Sequence, residues 1–248
     1  MAYQAVFKRY EIKYMITVEQ KKKILEAMEP YMALDKYGRT TIRNIYFDTD
    51  NYRLVRRSIE KPIYKEKLRI RSYQKATEDS PVFIELKKKY KKVVYKRRIS
   101  MTEPEAMAWI CDRAKSPKET QITREIDYFC DFYQGLKPAV YLSYEREAYF
   151  EKNGGDFRVT FDHNILCRQT ELSLCAEPYG DPLLEEGKVL MEVKCSGGMP
   201  LWMTRALTEQ KLSKTSFSKY GIAYQRLIFP NMNINNNLTE EEINDYVV

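Results

Sequence analysis

KPIYKEKLRIRSYQKATEDSPVFIELKKKYKKVVYKRR, residues 61–98, carries 14 Lys or Arg against 4 Asp or Glu. Its net charge is +10 in a chain whose total is +7, so all other residues together sum to −3. A charge run of this kind is ordinarily a solvated face or a disordered arm. Here the bases alternate with apolar residues at the period of a strand. In Lys67-Leu68-Arg69-Ile70-Arg71-Ser72-Tyr73 the odd positions are basic or phenolic, and Leu68 and Ile70 point the other way. Val82, Ile84 and Leu86 mark a second strand, with Phe83, Glu85 and Lys87 on its opposite face. In a third, Val94, Lys96 and Arg98 oppose Val93, Tyr95 and Arg97. Hairpin connections around 77–81 and 89–92 set the three side by side. Bases from neighbouring strands then converge on one sheet face, as a polyanion site requires.

A chain of 248 residues can bury a full core, and no Pro-, Gly- or Ser-rich linker or internal repeat divides it before residue 228. We therefore expect one domain over 1–228 and an Asn-rich, acidic, flexible tail over 229–248. Charged residues are 31% and mean hydropathy is −0.59, the composition of a soluble protein. No run approaches the roughly 20 apolar residues of a membrane span, and MAYQAVFKRYEIKY has no apolar signal core. The five cysteines form no CxxC pair, and one histidine cannot build a His-based zinc cluster. Reduced thiols in a cytoplasm are the plain expectation. The charge of +7 favours anionic partners without choosing among them.

In chain order, FKRYEIKYMI (7–16) reads as a strand with a charged face. Thr17 and Gln20 fit a capping box for a helix that Pro30 stops. A strand is expected over 41–47, then a turn and short helix before the basic strands. Thr102, Pro104 and Glu105 predict a helix over 102–116, and a second runs over 119–133. Strands are expected over 140–150 and 156–162, separated by the Asn153-Gly154-Gly155 turn. A meander over 165–175, a loop over 177–187 and a strand over 189–195 follow. Two helices, over 201–210 and 213–228, complete the reading, the second curved or interrupted at Gly221. About eight strands without a βαβ pattern give α+β, with an antiparallel sheet closed or nearly closed.

The basic face collects Lys67, Arg69, Arg71, Lys87, Lys88, Lys96, Arg97 and Arg98. Phosphoryl groups need several donors in fixed directions, and the arginine fork matches two phosphate oxygens at once. For Lys89, Lys91 and Lys92, at a turn, a solvated lysine edge is the better reading. Acids occupy similar strand positions: Glu11, Glu85, Glu145, Asp162 and Glu192. They can orient neighbouring bases, ligate Mg²⁺ or Mn²⁺, or make ordinary cross-strand ion pairs, and spacing does not choose. His163 has no catalytic partner, and neither a GxxxxGK[ST] loop nor a GxGxxG segment is present. Carboxylates on the basic faces argue against a nucleic-acid backbone and for a small, highly charged phosphate compound or a linear polyphosphate.

FKRYEIKY (7–14), NIYFDTD (44–50), KLRIRSY (67–73), VFIELKKK (82–89), KRR (96–98), YLSYEREAYF (141–150), FRVTFD (157–162), MEVK (191–194) and KLSKTSFSKY (211–220) stand in an order that resembles the VTC domain. That domain is the polyphosphate polymerase module of the triphosphate tunnel metalloenzyme, or CYTH-like, superfamily. The resemblance implies an α+β fold in which a closed eight-stranded antiparallel tunnel with flanking helices binds triphosphate and a divalent metal. It implies phosphate or ATP contacts, and catalytic roles, for Lys13, Arg69, Arg71, Lys87, Arg98, Arg146, Arg158, Lys194 and Lys214. Ser218 and Lys219 join them as binding residues. Glu192 is the implied metal ligand, with Glu11 as a second candidate, and the metal is Mn²⁺ or Mg²⁺.

The implied activity transfers the ATP γ-phosphoryl group to orthophosphate, pyrophosphate or a growing polyphosphate chain. The alternatives are an inorganic triphosphatase or short-chain polyphosphatase, and a non-catalytic module that binds polyphosphate or inositol phosphates. Coupling to translocation would require a separate membrane protein partner, making the cytoplasmic chain peripheral to the membrane. By alternation Arg146 falls in phase with Tyr144 and Leu142 rather than with Glu145, so alternation does not show it pointing inward, and a bulge would be needed to rotate it.

Overall fold

The computed structural model of the protein describes residues 6–7, 10–91 and 93–235. In chain order its elements are β1 (Val6–Phe7), β2 (Tyr10–Thr17), α1 (Val18–Met28), β3 (Met32–Asp48), α2 (Arg53–Ile59), β4 (Tyr64–Ser72), β5 (Val82–Tyr90) and β6 (Val93–Met101). There follow α3 (Glu103–Ile110), α4 (Gln121–Tyr133), β7 (Lys137–Glu151), β8 (Arg158–Arg168), β9 (Asp181–Pro182) and β10 (Lys188–Cys195). The last are α5 (Leu201–Glu209), β11 (Lys214–Thr215), α6 (Lys219–Ala223), a π-helical turn (Tyr224–Ile228) and α7 (Phe229–Asn235). Among the described residues no helix is long and apolar enough to cross a membrane.

Local chemistry explains most of these bounds. Thr17 and Gln20 cap each other's backbone N–H at the start of α1, and Thr102 with Glu105 does the same for α3. α3 stops at Ile110, short of the expected residue 116, and Arg113 beyond it turns to φ 57°. β3 begins nine residues before the expected strand. Its first arm pairs with the end of β7, but Leu34 and Tyr37 are exposed there, so no buried alternation marked it. β8 continues to Arg168 through the expected meander. The helix expected from 213 instead starts as β11, and Ser218 then caps α6 by accepting from Gly221 N. The helical path passes through Gly221 and widens at the π turn. In the flexible tail expected over 229–248, residues 229–235 instead form α7 and Phe229 packs on the core, while 236–248 lie outside the described residues.

One apolar cluster lies on the convex face, where Leu68, Ile70, Ile84 and Leu86 meet Trp109 of α3 and Ile126 and Phe129 of α4. Each fully buried aliphatic side chain there contributes about 1.5–3 kcal/mol, which offsets the burial of charge on the opposite face of the same strands. A second cluster packs α1 and α5 on β2, β8 and β10. A third brings α2, α6 and the π turn against Ile42, Tyr46, Leu142, Tyr144 and Leu190. Asp48 ties this end together, accepting from Leu54 N, Val55 N and the Tyr220 hydroxyl.

Closure of the sheet is where expectation and structure part. The ladder runs β1-β6-β5-β4-β3-β7-β8-β10-β2-β11, with β9 paired to β8 off that path. Its two ends are not joined by backbone pairing among the described residues, so the sheet is open and not a closed eight-stranded tunnel. Two of the three two-residue strands are the reason. β1 lies along β6, with Val6 opposite Tyr95, and β11 lies along β2, with Lys214 opposite Tyr14. Each long edge strand therefore pairs with a two-residue partner instead of with the other edge. The twisted sheet still curls, and Glu11 on β2 reaches Lys87 on β5 at 3.5 Å. Side chains bridge the gap that hydrogen bonds do not.

Candidate functional site

Strand alternation sends Leu68, Ile70, Ile84 and Leu86 to the convex core and the intervening residues to the concave face. That face encloses a cavity of about 820 Å³ lined by 14 Lys or Arg side chains and 3 Glu. Lys65, Lys67, Arg69 and Arg71 come from β4, Lys87 and Lys89 from β5, and Lys96 and Arg98 from β6. Arg146, Arg158, Lys194 and Lys13 complete the circuit on β7, β8, β10 and β2, and Lys219 enters from α6. A concave surface of this sign concentrates multiply charged anions.

Glu85 organises the β4–β6 side and is 1% exposed. Its Oε2 accepts from Arg69 Nε at 3.0 Å and Nη2 at 2.7 Å. Its Oε1 accepts from Arg98 Nε at 2.8 Å and pairs with Lys96 Nζ at 2.7 Å, while Arg71 Nη1 lies 3.8 Å from Oε2. Burial works against this carboxylate, but Arg69, Arg71, Lys96 and Arg98 together hold its pKa well below the usual range. Of the roles open to Glu85, charge partner is the one its geometry fills. The remaining donors are also fixed: Arg69 Nη1 donates to Tyr46 Oη at 2.7 Å and Arg71 Nε to Asn44 Oδ1 at 2.9 Å.

Asp162 repeats the device on β8. It is fully buried and accepts from Arg146 Nε at 2.5 Å and Nη2 at 2.7 Å, and from Lys219 Nζ at 2.5 Å. Burial raises its pKa, yet Arg146 and Lys219 outweigh that and bring it to about 2. Arg146 lines the cavity in phase with Tyr144, and Glu145 points outward to Arg39. A bulge does occur beside it, between the Ser143 and Glu145 pairings, with Asn164 of β8 at φ 46°. Glu145 was thus misplaced as an inward acid, and Arg146 needs no rotation within β7 to reach the cavity.

Glu192, Glu11 and Lys13 form a third group. Lys13 Nζ lies 3.7 Å from Glu192 and 3.8 Å from Glu11, and donates to Phe217 O at 2.7 Å. Lys194 Nζ sits 2.5 Å from Glu192. Burial opposes ionisation of Glu192, but Lys194 and Lys13 hold it well below the usual range. Burial also opposes the Lys13 ammonium, and Glu192 with Glu11 raises its pKa in spite of that. Among the described residues no cluster of three or more His, Cys, Asp or Glu could hold a metal by itself. Two ionised carboxylates on one face nevertheless match the way hard divalent cations are held together with substrate phosphates. The Thr160 hydroxyl, opposite Glu192 in the ladder, is buried and has no hydrogen-bond partner, a further hard oxygen beside them.

The structure therefore brings Lys13, Arg69, Arg71, Lys87, Arg98, Arg146, Arg158, Lys194, Ser218 and Lys219 around one cavity, with Glu192 and Glu11. Lys214 is exposed on β11 and is not part of the lining. Lys88 and Arg97 lie on the other face, paired with Glu125 of α4. Lys89 lines the cavity, contrary to its reading as a solvated turn lysine; Lys91 is exposed, and Lys92 lies outside the described residues. His163 is away from the cavity beside Lys21 and Glu147, and the five cysteines are free.

Lys67 belongs to the basic face but not to the residues that the resemblance marked. Its Nζ donates to Ser218 Oγ at 2.9 Å and no salt bridge reaches it among the described residues. Burial pushes its ammonium down to about 8, with Tyr46 opposing and Lys65 and Lys87 adding to the fall. Alternation from Arg69 was the signal that could have promoted it.

The VTC domain model matches residues 8–228. A search of curated proteins finds no match. Among solved structures, a candidate adenylate cyclase from Bacillus halodurans superposes with TM-score 0.56 at 16% identity, covering 90% of this chain and 99% of that one. A candidate adenylyl cyclase from Hippeastrum, described as having a dominant triphosphatase activity, gives 0.50 at 14% identity, with 86% and 93% covered. At these identities the two structures speak to the fold alone. The family match spans most of the chain and meets the cavity described above, and the protein belongs to the VTC domain family within the CYTH-like triphosphate tunnel superfamily.

Proposed function

We propose that the protein hydrolyses the terminal phosphoanhydride of inorganic triphosphate and short polyphosphates in a metal-dependent reaction. The observation that carries this reading is the pairing of 14 bases with two acids, Glu192 and Glu11, on the same enclosed face. The bases alone would suit an anion-binding module. The two ionised carboxylates repel a phosphate chain unless a cation joins them, which favours chemistry over storage of the ligand. Glu192 and Glu11 would hold Mn²⁺ or Mg²⁺, which supplies charge neutralisation at phosphate oxygens.

Phosphoryl transfer through a loose transition state asks for positioning and charge stabilisation more than for a protein base. Arg69, Arg71, Arg98 and Arg146 have their guanidinium planes fixed by Glu85, Asn44 and Asp162, so they meet the substrate already oriented. Water forms the new P–O bond, the bridging P–O bond breaks, and triphosphate yields pyrophosphate and orthophosphate with a proton lost to solvent. The triphosphatase activity given for the Hippeastrum structure supports this choice of acceptor.

A second reading, ATP-dependent polyphosphate synthesis, is favoured by the VTC domain match and by Lys61, Lys65 and Lys89, which extend the basic lining beyond the Glu85 cluster. There orthophosphate or a polyphosphate end replaces water as acceptor, and a membrane protein partner would receive the chain. Incubating the pure protein with triphosphate, or with ATP, and Mn²⁺, then sizing the phosphate products, separates the readings. Orthophosphate without chain growth supports hydrolysis. Polyphosphate plus ADP replaces it with synthesis, and tight binding without turnover leaves a binding module.

A further inference from the structure

The concave face changes character along β4. In the ladder Arg69 stands opposite Glu85, and Glu85 opposite Arg98, so that row carries its own acid. Two residues back Lys67 faces Lys87, which has Glu11 at 3.5 Å. Two further back Lys65 faces Lys89, and no acid joins them. Lys61, in the connection from α2 to β4, lines the same cavity. Among the described residues no salt bridge reaches Lys61, Lys65, Lys67 or Lys89. At roughly 3.3 Å per residue the Lys65 row lies about 13 Å along β4 from the Arg69 row.

These ammonium groups are held at the cavity, not spread into solvent. Lys65 Nζ donates to Ser58 O at 3.0 Å and Lys67 Nζ to Ser218 Oγ at 2.9 Å, so neutral oxygens stand where carboxylates stand in the arginine rows. Burial pulls the Lys65 ammonium below its ordinary value, and Lys89 and Lys61 add to the fall. Like charges gathered on one enclosed face repel, and an anion lying between them relieves this. The kind of base matters as well. Arginine forks fixed by Glu85 and Asn44 impose one register on a phosphoryl group. Lysine is a compact charge on a flexible stem, and it follows an anion without fixing its register. A row of lysines beyond fixed arginines therefore suits a chain of identical phosphoryl units. Triphosphate held at Arg69 and Arg71 is too short to reach that row.

We propose that Lys61, Lys65 and Lys89 form a second subsite, which binds the remainder of a linear polyphosphate whose end lies among the arginines and so makes longer chains the preferred ligand. The inference rests on the concave cavity being a phosphate site and adds chain length to what that site selects. It holds for hydrolysis and for synthesis alike.

Titration calorimetry with a chelator present, so that nothing is turned over, compares triphosphate with a monodisperse linear oligophosphate long enough to span both rows. Wild type should bind the longer chain more tightly, and Lys65→Ala combined with Lys89→Ala should lower that preference about tenfold or more. Lys36→Ala combined with Lys152→Ala removes the same charge from exposed positions outside the cavity and should keep the wild-type preference. Equal weakening of both ligands by the Lys65 and Lys89 substitutions would reduce these lysines to general attraction and overturn the proposal. A wild type that binds triphosphate but does not prefer the longer chain overturns it too, and leaves the phosphate-site reading standing. Absence of triphosphate binding in wild type overturns both. Wild-type crystals soaked with the oligophosphate read the path without any variant. Density running from Arg69 to Lys65 and Lys89 supports the subsite, and density that ends among the arginines or leaves past other residues overturns it.

Discussion

Arg69 and Glu85 face each other directly across β4 and β5, and two guanidinium nitrogens of Arg69 converge on one oxygen of Glu85. The pair fixes the arginine plane before any substrate arrives. Arg69→Ala and Arg71→Ala should each weaken triphosphate binding about 10- to 100-fold, the range for losing charged hydrogen bonds. Titration calorimetry at fixed ionic strength checks this. Lys214→Ala is the control and should leave affinity unchanged, because Lys214 is exposed and outside the cavity. Unchanged affinity in both arginine variants would show that the basic face is not the site.

Glu85→Gln keeps the shape of the side chain and removes its charge. Without the carboxylate, Arg69, Arg98 and Lys96 carry one more uncompensated charge, so anion affinity should rise and its salt dependence should steepen. Turnover should fall, because the guanidinium planes lose their common anchor. A purely structural Glu85 predicts weaker binding together with lower stability, so binding isotherms at two salt concentrations distinguish the cases.

Asp162 contributes to stability through its proton. Its folded pKa of about 2 lies below the ordinary value of 3.8. The contribution, about 2 kcal/mol, is therefore fully present above pH 4 and is lost as pH falls through 2. Asp162→Asn should be less stable than wild type at pH 7, and the gap should narrow in acid. Urea unfolding at pH 7 and pH 3 measures it, and a gap independent of pH would contradict the proton linkage.

Lys67 follows the same direction of linkage, but its charged form is a cost of folding where the charged form of Asp162 is a gain. Its folded pKa of about 8 lies below the ordinary 10.5, so the unfolded chain binds more protons between those values and stability rises with pH across that window. Binding of an anion favours the protonated form and should weaken as pH rises through 8. At pH 8 binding should take up protons, seen as a dependence of the calorimetric heat on buffer ionisation enthalpy. Lys67→Met should reduce that uptake, with the rest coming from Lys96, which burial also brings to about 8 although Glu85 opposes it.

Glu192→Gln should lower turnover on the order of 100-fold at saturating Mn²⁺. Binding of triphosphate in the presence of a chelator should not weaken, since a negative charge has left the cavity. Loss of metal-free binding as well would make Glu192 an anchor for Lys13 and Lys194 instead of a metal ligand.

Alternating residues in 61–98 determined three strands, their register neighbours and the face on which Arg69, Arg71, Lys87 and Arg98 would meet, because a strand's period of two is local chemistry. Thr17, Thr102 and Gln20 marked helix starts for the same reason. The ordered motifs also gave the family. Other features depended on residues distant in the chain. β11 contains two residues and has no period, yet it occupies the edge of β2 and helps leave the sheet open. Whether Glu85 and Asp162 orient bases or ligate metal depended on Arg98, Lys96, Arg146 and Lys219 arriving from other elements. Lys67 became a half-buried cation, and Lys214 an exposed one, only through the packing of α6 and β11. Periodicity assigns a side chain to a face; its partners and its exposure are set by what the folded chain lays over that face.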